Sequence, residues 1–257
     1  MEDTPLKIGK YEFRSRLILG TGRYASLELM KKCHEAAGVE IVTVALRRVP
    51  LGQGGPSLLD YIDTNKIKIM PNTSGAYSAR EALRLAELAL ALGMDFLKIE
   101  VLGDIHTLLP DPVETYEAVR LIRQKYDQSR LHLLVYTNDD PVLALKLRDA
   151  GADAIMPAGS PIGSGRGIAN EANLIIMREQ LGEAVPLIVD AGLGCASDAS
   201  RAMELGADGV LLNSAVALAK DPMSMAIAMK HAVIAGRLSY LAGRIPKKLY
   251  GTASSPL

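Results

Sequence analysis

Gly93-Met94-Asp95-Phe96-Leu97-Lys98-Ile99-Glu100-Val101 decides the fold. The glycine can take φ > 0 and close a preceding helix as its C′ residue. The aspartate then opens a short, nearly continuous apolar run, which reads as a parallel strand covered on both faces. The same joint recurs as Gly38-Val39-Glu40, Gly151-Ala152-Asp153 and Gly206-Ala207-Asp208. Its spacings of 55, 58 and 55 residues suggest a βα unit repeated in pairs.

Working outward, eight strands are expected: 16–20, 40–46, 67–71, 95–101, 132–137, 152–157, 186–190 and 208–213. Helices are expected at 26–37, 78–92, 112–126, 141–150, 171–181 and 197–205. After the second strand the link is irregular, with Gly52, Gly54, Gly55 and Pro56 ahead of a short helical piece at 57–63. Eight βα units in 257 residues have the size and rhythm of a single (β/α)8 TIM barrel, an α/β fold occupying 1–257 as one domain. A doubly wound sheet fits less well. Gly20-Thr21-Gly22 follows the first strand, but no full GxGxxG does.

Composition narrows the function. Lys+Arg and Asp+Glu both total 29, there is no tryptophan and phenylalanine occurs twice. Without a basic run or an aromatic-rich basic patch, nucleic-acid binding has little support. No apolar stretch reaches the roughly 20 residues of a membrane span, so no membrane partner is expected. No signal peptide is visible, and Cys33 and Cys195 read as free thiols of a reducing, cytoplasmic setting. The four histidines are isolated and match no ligand pattern, so no metal is expected.

Lys98 is the focus of the chemistry. A lysine inside an apolar strand is costly to bury. Burial is expected to lower its pKa and free the amine as a nucleophile. Strand alternation places Glu100 on the same side, one pleat away. The pair fits a Schiff-base site with a proton carrier, or equally a buried ion pair that does no chemistry. Asp190 ends the seventh strand at the same barrel mouth, as an acid/base group or as a helix-capping aspartate. The loops Gly159–Gly167, Ala191–Gly194 and Asn213-Ser214 are rich in small residues whose backbone amides can approach an anion. Loops after the last strands of such barrels commonly hold a phosphate. A phosphorylated sugar with a carbonyl near Lys98 is therefore the expected substrate.

The chain resembles bacterial thiazole synthase. The resemblance rests on Leu19-Gly20-Thr21-Gly22, 43–48, Pro71-Asn72-Thr73, 98–104, 161–165, 189–194, 209–214 and Ala253-Ser254-Ser255-Pro256, in order along nearly the whole chain. It implies an imine between Lys98 and the ketone of 1-deoxy-D-xylulose 5-phosphate, with Glu100 and Asp190 as acid/base groups. Gly159, Ala191, Gly192, Asn213 and Ser214 would hold the sugar phosphate. Sulfur would come from a thiocarboxylate on a small ubiquitin-like sulfur-carrier protein, and dehydroglycine would complete the ring. The resemblance also implies a homo-oligomer that needs no metal or redox cofactor. One departure is Asn72-Thr73-Ser74-Gly75-Ala76, where the family often reads Asn-Thr-Ala-Gly-Cys, so a thiol role there does not apply. Another Schiff-base barrel, aldolase-like or pyridoxal-phosphate synthase-like, and a non-catalytic phosphate-binding barrel are the competing readings. The tail 244–257 is expected either to fray or to help cover the site and receive the carrier.

Overall fold

The computed structural model describes residues 3–48 and 57–255. Gly52, Gly54, Gly55 and Pro56 of the irregular link, and Pro256 of the tail, lie outside the described residues.

Two short strands, β1 (Leu6–Ile8) and β2 (Tyr11–Phe13), form an antiparallel hairpin. Eight parallel strands follow: β3 (Leu17–Gly20), β4 (Ile41–Ala45), β5 (Lys68–Asn72), β6 (Phe96–Ile99), β7 (His132–Thr137), β8 (Ala154–Pro157), β9 (Ile188–Asp190) and β10 (Gly209–Leu212). They pair in the order β8-β7-β6-β5-β4-β3-β10-β9. Bridges Ile155↔Leu187 and Ala158↔Asp190 join β8 to β9 and close the (β/α)8 barrel. All eight expected strands are present, shortened by one or two residues at most ends.

Helices α1 (Leu27–Ala37), α2 (Ala79–Ala91), α3 (Pro112–Lys125), α4 (Pro141–Asp149), α5 (Glu171–Leu181) and α6 (Ala196–Glu204) match the six expected ones. Their starts follow from chemistry. Ser26, Ser78, Asp111, Asp140 and Asn170 each accept a first-turn amide at the N-cap. Two further helices, α7 (Ser214–Ala217) and α8 (Pro222–Ala242), follow β10 and were not expected. The face that α8 buries is Ala226, Met229, Val233 and Gly236, but Ile227, Ile234, Leu238 and Tyr240 lie exposed on the same helix, so no single apolar stripe stands out. A Cβ on Gly236 would sit 2.4 Å from Ser200 O, so α8 and α6 pack almost backbone to backbone.

Side-chain alternation sorts the core. One cluster lies between strands and helices, and a second fills the barrel with Ile18, Ile41, Met70, Phe96, Leu134, Met156, Ile188 and Leu211. The hairpin plugs the lower end of that interior with Leu6, Ile8 and Phe13. All four joint glycines have φ between 64° and 100°. The acidic residue after each one ties the barrel floor. Glu40 accepts the Arg14 and Ser15 amides, Asp153 the Leu133 amide and Asp208 the Leu187 amide, while Asp95 holds the Tyr11 hydroxyl of the hairpin. The upper end of the barrel is thereby left for polar groups.

Candidate active site

Along β6, Phe96 faces the barrel interior, and Lys98 and Glu100 continue that side toward the strand's C-terminal end. The three ionisable side chains expected from the sequence meet there. Lys98 Nζ lies 2.5 Å from Asp190 Oδ2 and 3.8 Å from Glu100 Oε2. Lys98 is 4% exposed, Glu100 5% and Asp190 2%, so all three lie in a nearly dry setting. The Lys98–Asp190 contact is an ion pair too bent for an aligned hydrogen bond. Tyr136 presents its ring 5.1 Å from Lys98 Nζ.

The direction of the Lys98 pKa reverses the expectation. Burial pulls it down, but the charges of Asp190 and Glu100 outweigh burial and raise it above the usual lysine value. The resting group is an ammonium. Asp190 is raised above the usual carboxylate range, first by burial and then by Glu100, although Lys98 opposes both. The carboxylate nearest the ammonium is thus the one most ready to take a proton from it. Burial also raises the Tyr136 phenol, helped by Asp190 and Glu100, which keeps it neutral.

A cavity of about 1400 Å³ opens over these groups. Its wall includes Gly20, Ala45, Asn72 and Asn213, all at the C-terminal ends of strands or just beyond them. Gly163, Gly165, Ala191, Gly192, Ser214 and Ala215 line it on the arc of the last loops. Ala191 and Gly192 both adopt left-handed backbone, φ 66° and 77°, turning the chain sharply after Asp190. The Gly192 and Leu193 amides donate to nothing among the described residues. Among those residues, no three His, Cys, Asp or Glu side chains gather as a metal site.

The five expected phosphate-binding residues divide. Ala191, Gly192, Asn213 and Ser214 line the cavity, whereas Gly159 does not. The Gly159 amide donates to Asp190 O, and its carbonyl accepts from Ala169. The Asn213 amide is spent on Gly22 O at 2.8 Å. Gly192 also carries a packing demand, because a Cβ there would meet Ser160 N at 2.5 Å.

The family model Thiazole biosynthesis protein ThiG matches residues 7–256. A Thiazole synthase of Geobacillus sp. (strain WCH70) is 54% identical over 254 residues, covering 98% of this chain and 97% of that protein. A Thiazole synthase of Myxococcus xanthus is 52% identical over 259 residues, covering 100% and 97%. The chain belongs to the thiazole synthase family. It is an enzyme of thiazole formation in thiamine biosynthesis. The structure is also similar to Amycolatopsis orientalis BexX, solved as a BexX/CysO complex. The TM-score is 0.84 at 36% identity, over 96% of this chain and 100% of that one. Thiamine phosphate pyrophosphorylase of Pyrococcus furiosus, at 13% identity and TM-score 0.57, shares the fold alone.

In this thiazole synthase, sequence reasoning missed Thr73. Thr73 Oγ1 donates to Glu100 O at 2.8 Å and accepts from Glu100 N at 2.7 Å. It stands in for the β5–β6 ladder, whose strand register consists of Asn72↔Lys98. The signal was the Pro71-Asn72-Thr73 stretch, a polar pair at a strand end. No helix among the described residues is long and apolar enough to cross a membrane. The described part of the tail, 244–255, is exposed throughout, including Ile245, Leu249 and Tyr250.

Proposed function

We propose that this chain builds the thiazole phosphate of thiamine from a ketose phosphate held as an imine on Lys98. The observation that carries the reading is the buried Lys98–Asp190–Glu100 group beneath the cavity. The ammonium passes a proton to Asp190, and the freed amine adds to the ketone of 1-deoxy-D-xylulose 5-phosphate. Water leaves and the imine forms. An imine acidifies the neighbouring carbon, and Glu100 and Asp190 then move protons in the tautomerisation that shifts the carbonyl.

The substrate phosphate sits on the Gly192 and Ser214 arc, with Ala191 shaping the turn. Gly159 and Asn213 support that arc through their bonds to Asp190 O and Gly22 O. Sulfur arrives on the thiocarboxylated C-terminus of a small ubiquitin-like carrier that reaches into the mouth, and dehydroglycine completes the ring. The BexX/CysO complex of a relative supports a protein partner at this fold. The free thiols, Cys33 buried and Cys195 exposed, fit a cytoplasmic enzyme. The family resemblance adds assembly as a homo-oligomer.

Reconstitution tests the reading. The purified chain, the sugar phosphate, the thiocarboxylated carrier and dehydroglycine should yield thiazole phosphate. Direct sulfur transfer predicts the same product from a Cys33→Ala, Cys195→Ser double variant. Alanine is used at position 33 because Cys33 is fully buried in the apolar core. Loss of product with an intact fold would route sulfur through a thiol of this chain. No product from the wild-type chain would remove the thiazole reading itself.

A further inference from the structure

The cavity wall carries four cations among the described residues, Arg23, Arg47, Lys98 and Lys220, against two carboxylates, Glu100 and Asp190. Lys98 is held by both carboxylates, and Arg47 Nη2 donates to Gly75 O. Neither Arg23 nor Lys220 makes an ion pair or donates a side-chain hydrogen bond among the described residues, but of the two it is Arg23 whose backbone is left-handed, with φ 69°. A non-glycine residue there is strained, and such strain persists where the surroundings enforce it.

The enforcing contact is visible. Asn213 Nδ2 donates to Gly22 O, so the peptide just before Arg23 is tied to the end of β10. The result places a guanidinium beside the small-residue loops. The point where a Cβ on Gly163 would sit lies 4.0 Å from Arg23 Nη1 and 3.7 Å from Ser214 Oγ. Gly163 has no side chain to fill that space, so an anion oxygen can stand between the arginine and the serine hydroxyl.

We infer that Arg23 pairs with the substrate phosphate, and that Asn213 acts through Arg23 as its positioning residue rather than as a phosphate ligand. The planar guanidinium offers two parallel N–H donors to two phosphate oxygens. Backbone amides of these loops cannot supply a full positive charge, and Arg23 adds one. The inference rests on the phosphorylated-substrate reading above.

Titration of the full chain with inorganic phosphate tests it without needing the sugar. Wild type should bind. Arg23→Gln should weaken binding about tenfold to a hundredfold, and Arg23→Lys should recover part of the loss. Asn213→Ala should weaken binding in the wild-type background but add little in Arg23→Gln, a coupling that a merely structural asparagine would not show. Equal phosphate affinity in wild type and Arg23→Gln overturns the inference, as does no binding by wild type. Borohydride trapping with the sugar phosphate and its dephosphorylated form separates the two readings. If wild type traps both equally well, the phosphorylated-substrate reading fails. If wild type prefers the phosphate ester and Arg23→Gln keeps that preference, the arginine assignment alone fails.

Discussion

Lys98 Nζ and Asp190 Oδ2 stand 2.5 Å apart inside a nearly dry barrel mouth. Residues at the ends of β6 and β9 meet there as one buried ion pair. Asp190 raises the Lys98 pKa, and in the proposed reaction it is the nearest acceptor for the proton that Lys98 gives up.

The pH dependence of imine formation should report this pair. Removing one negative charge by Asp190→Asn lowers the Lys98 pKa, so free amine appears at lower pH. The acid limb of the trapping rate should therefore move to lower pH, while thiazole formation is lost. Rapid-quench trapping across a pH series measures the shift. An unmoved or upward-moved limb would mean that Asp190 does not set the ionisation of Lys98.

Glu100 should act after the imine exists. Its Oε2 is 3.8 Å from Nζ, farther than Asp190 and one pleat toward the opening. Glu100→Gln should still trap substrate but lose roughly 10²–10⁴ in turnover, the usual effect of one proton carrier. Near-normal turnover would leave it as a charge partner only.

Thr73 should matter through Glu100. Thr73→Val leaves the Glu100 amide and carbonyl without their shared hydroxyl, costing about 1–3 kcal/mol of stability. Misplacement of Glu100 should also lower kcat by roughly tenfold or more while imine trapping persists. Thr73→Ser should restore both. A valine variant that is less stable but keeps normal kcat would reduce Thr73 to a sheet tie.

The barrel floor should govern stability alone. The Asp153 side chain is largely covered, pairs with Arg123 at 2.6 Å and accepts the Leu133 amide at 2.7 Å. Asp153→Ala removes the counter-charge of Arg123 and the acceptor of the Leu133 amide, and should cost about 3–5 kcal/mol in denaturant unfolding. Trapping at Lys98, at the other end of the strands, should be unchanged in the folded variant. A trapping defect without a stability loss would contradict this separation of ends.

Much of this was legible in the sequence for local reasons. The joint glycines need φ > 0, and the acids after them repeat, so the βα rhythm shows directly. Lys98 stands out because the rest of its strand is apolar. What was hidden is non-local. The hairpin Leu6–Phe13 has strands of three residues each, too short for a pattern, and α8 carries apolar side chains on its exposed as well as its buried face. The sign of the Lys98 shift depends on Asp190, which only the closed barrel brings into contact. Thr73 reaches Glu100 across a ladder, and Arg23 gains meaning only beside Gly163 and Ser214. Gly159 was expected at the anion site, but closing β8 onto β9 consumes its amide.

The central claim is that Lys98 forms the covalent imine. Intact-protein mass spectrometry after borohydride treatment with 1-deoxy-D-xylulose 5-phosphate tests it most directly. Wild type should gain the mass of one reduced adduct, mapped to the peptide containing Lys98, and a folded Lys98→Arg variant should gain none. An adduct that survives in Lys98→Arg, or maps to another lysine, would contradict the account.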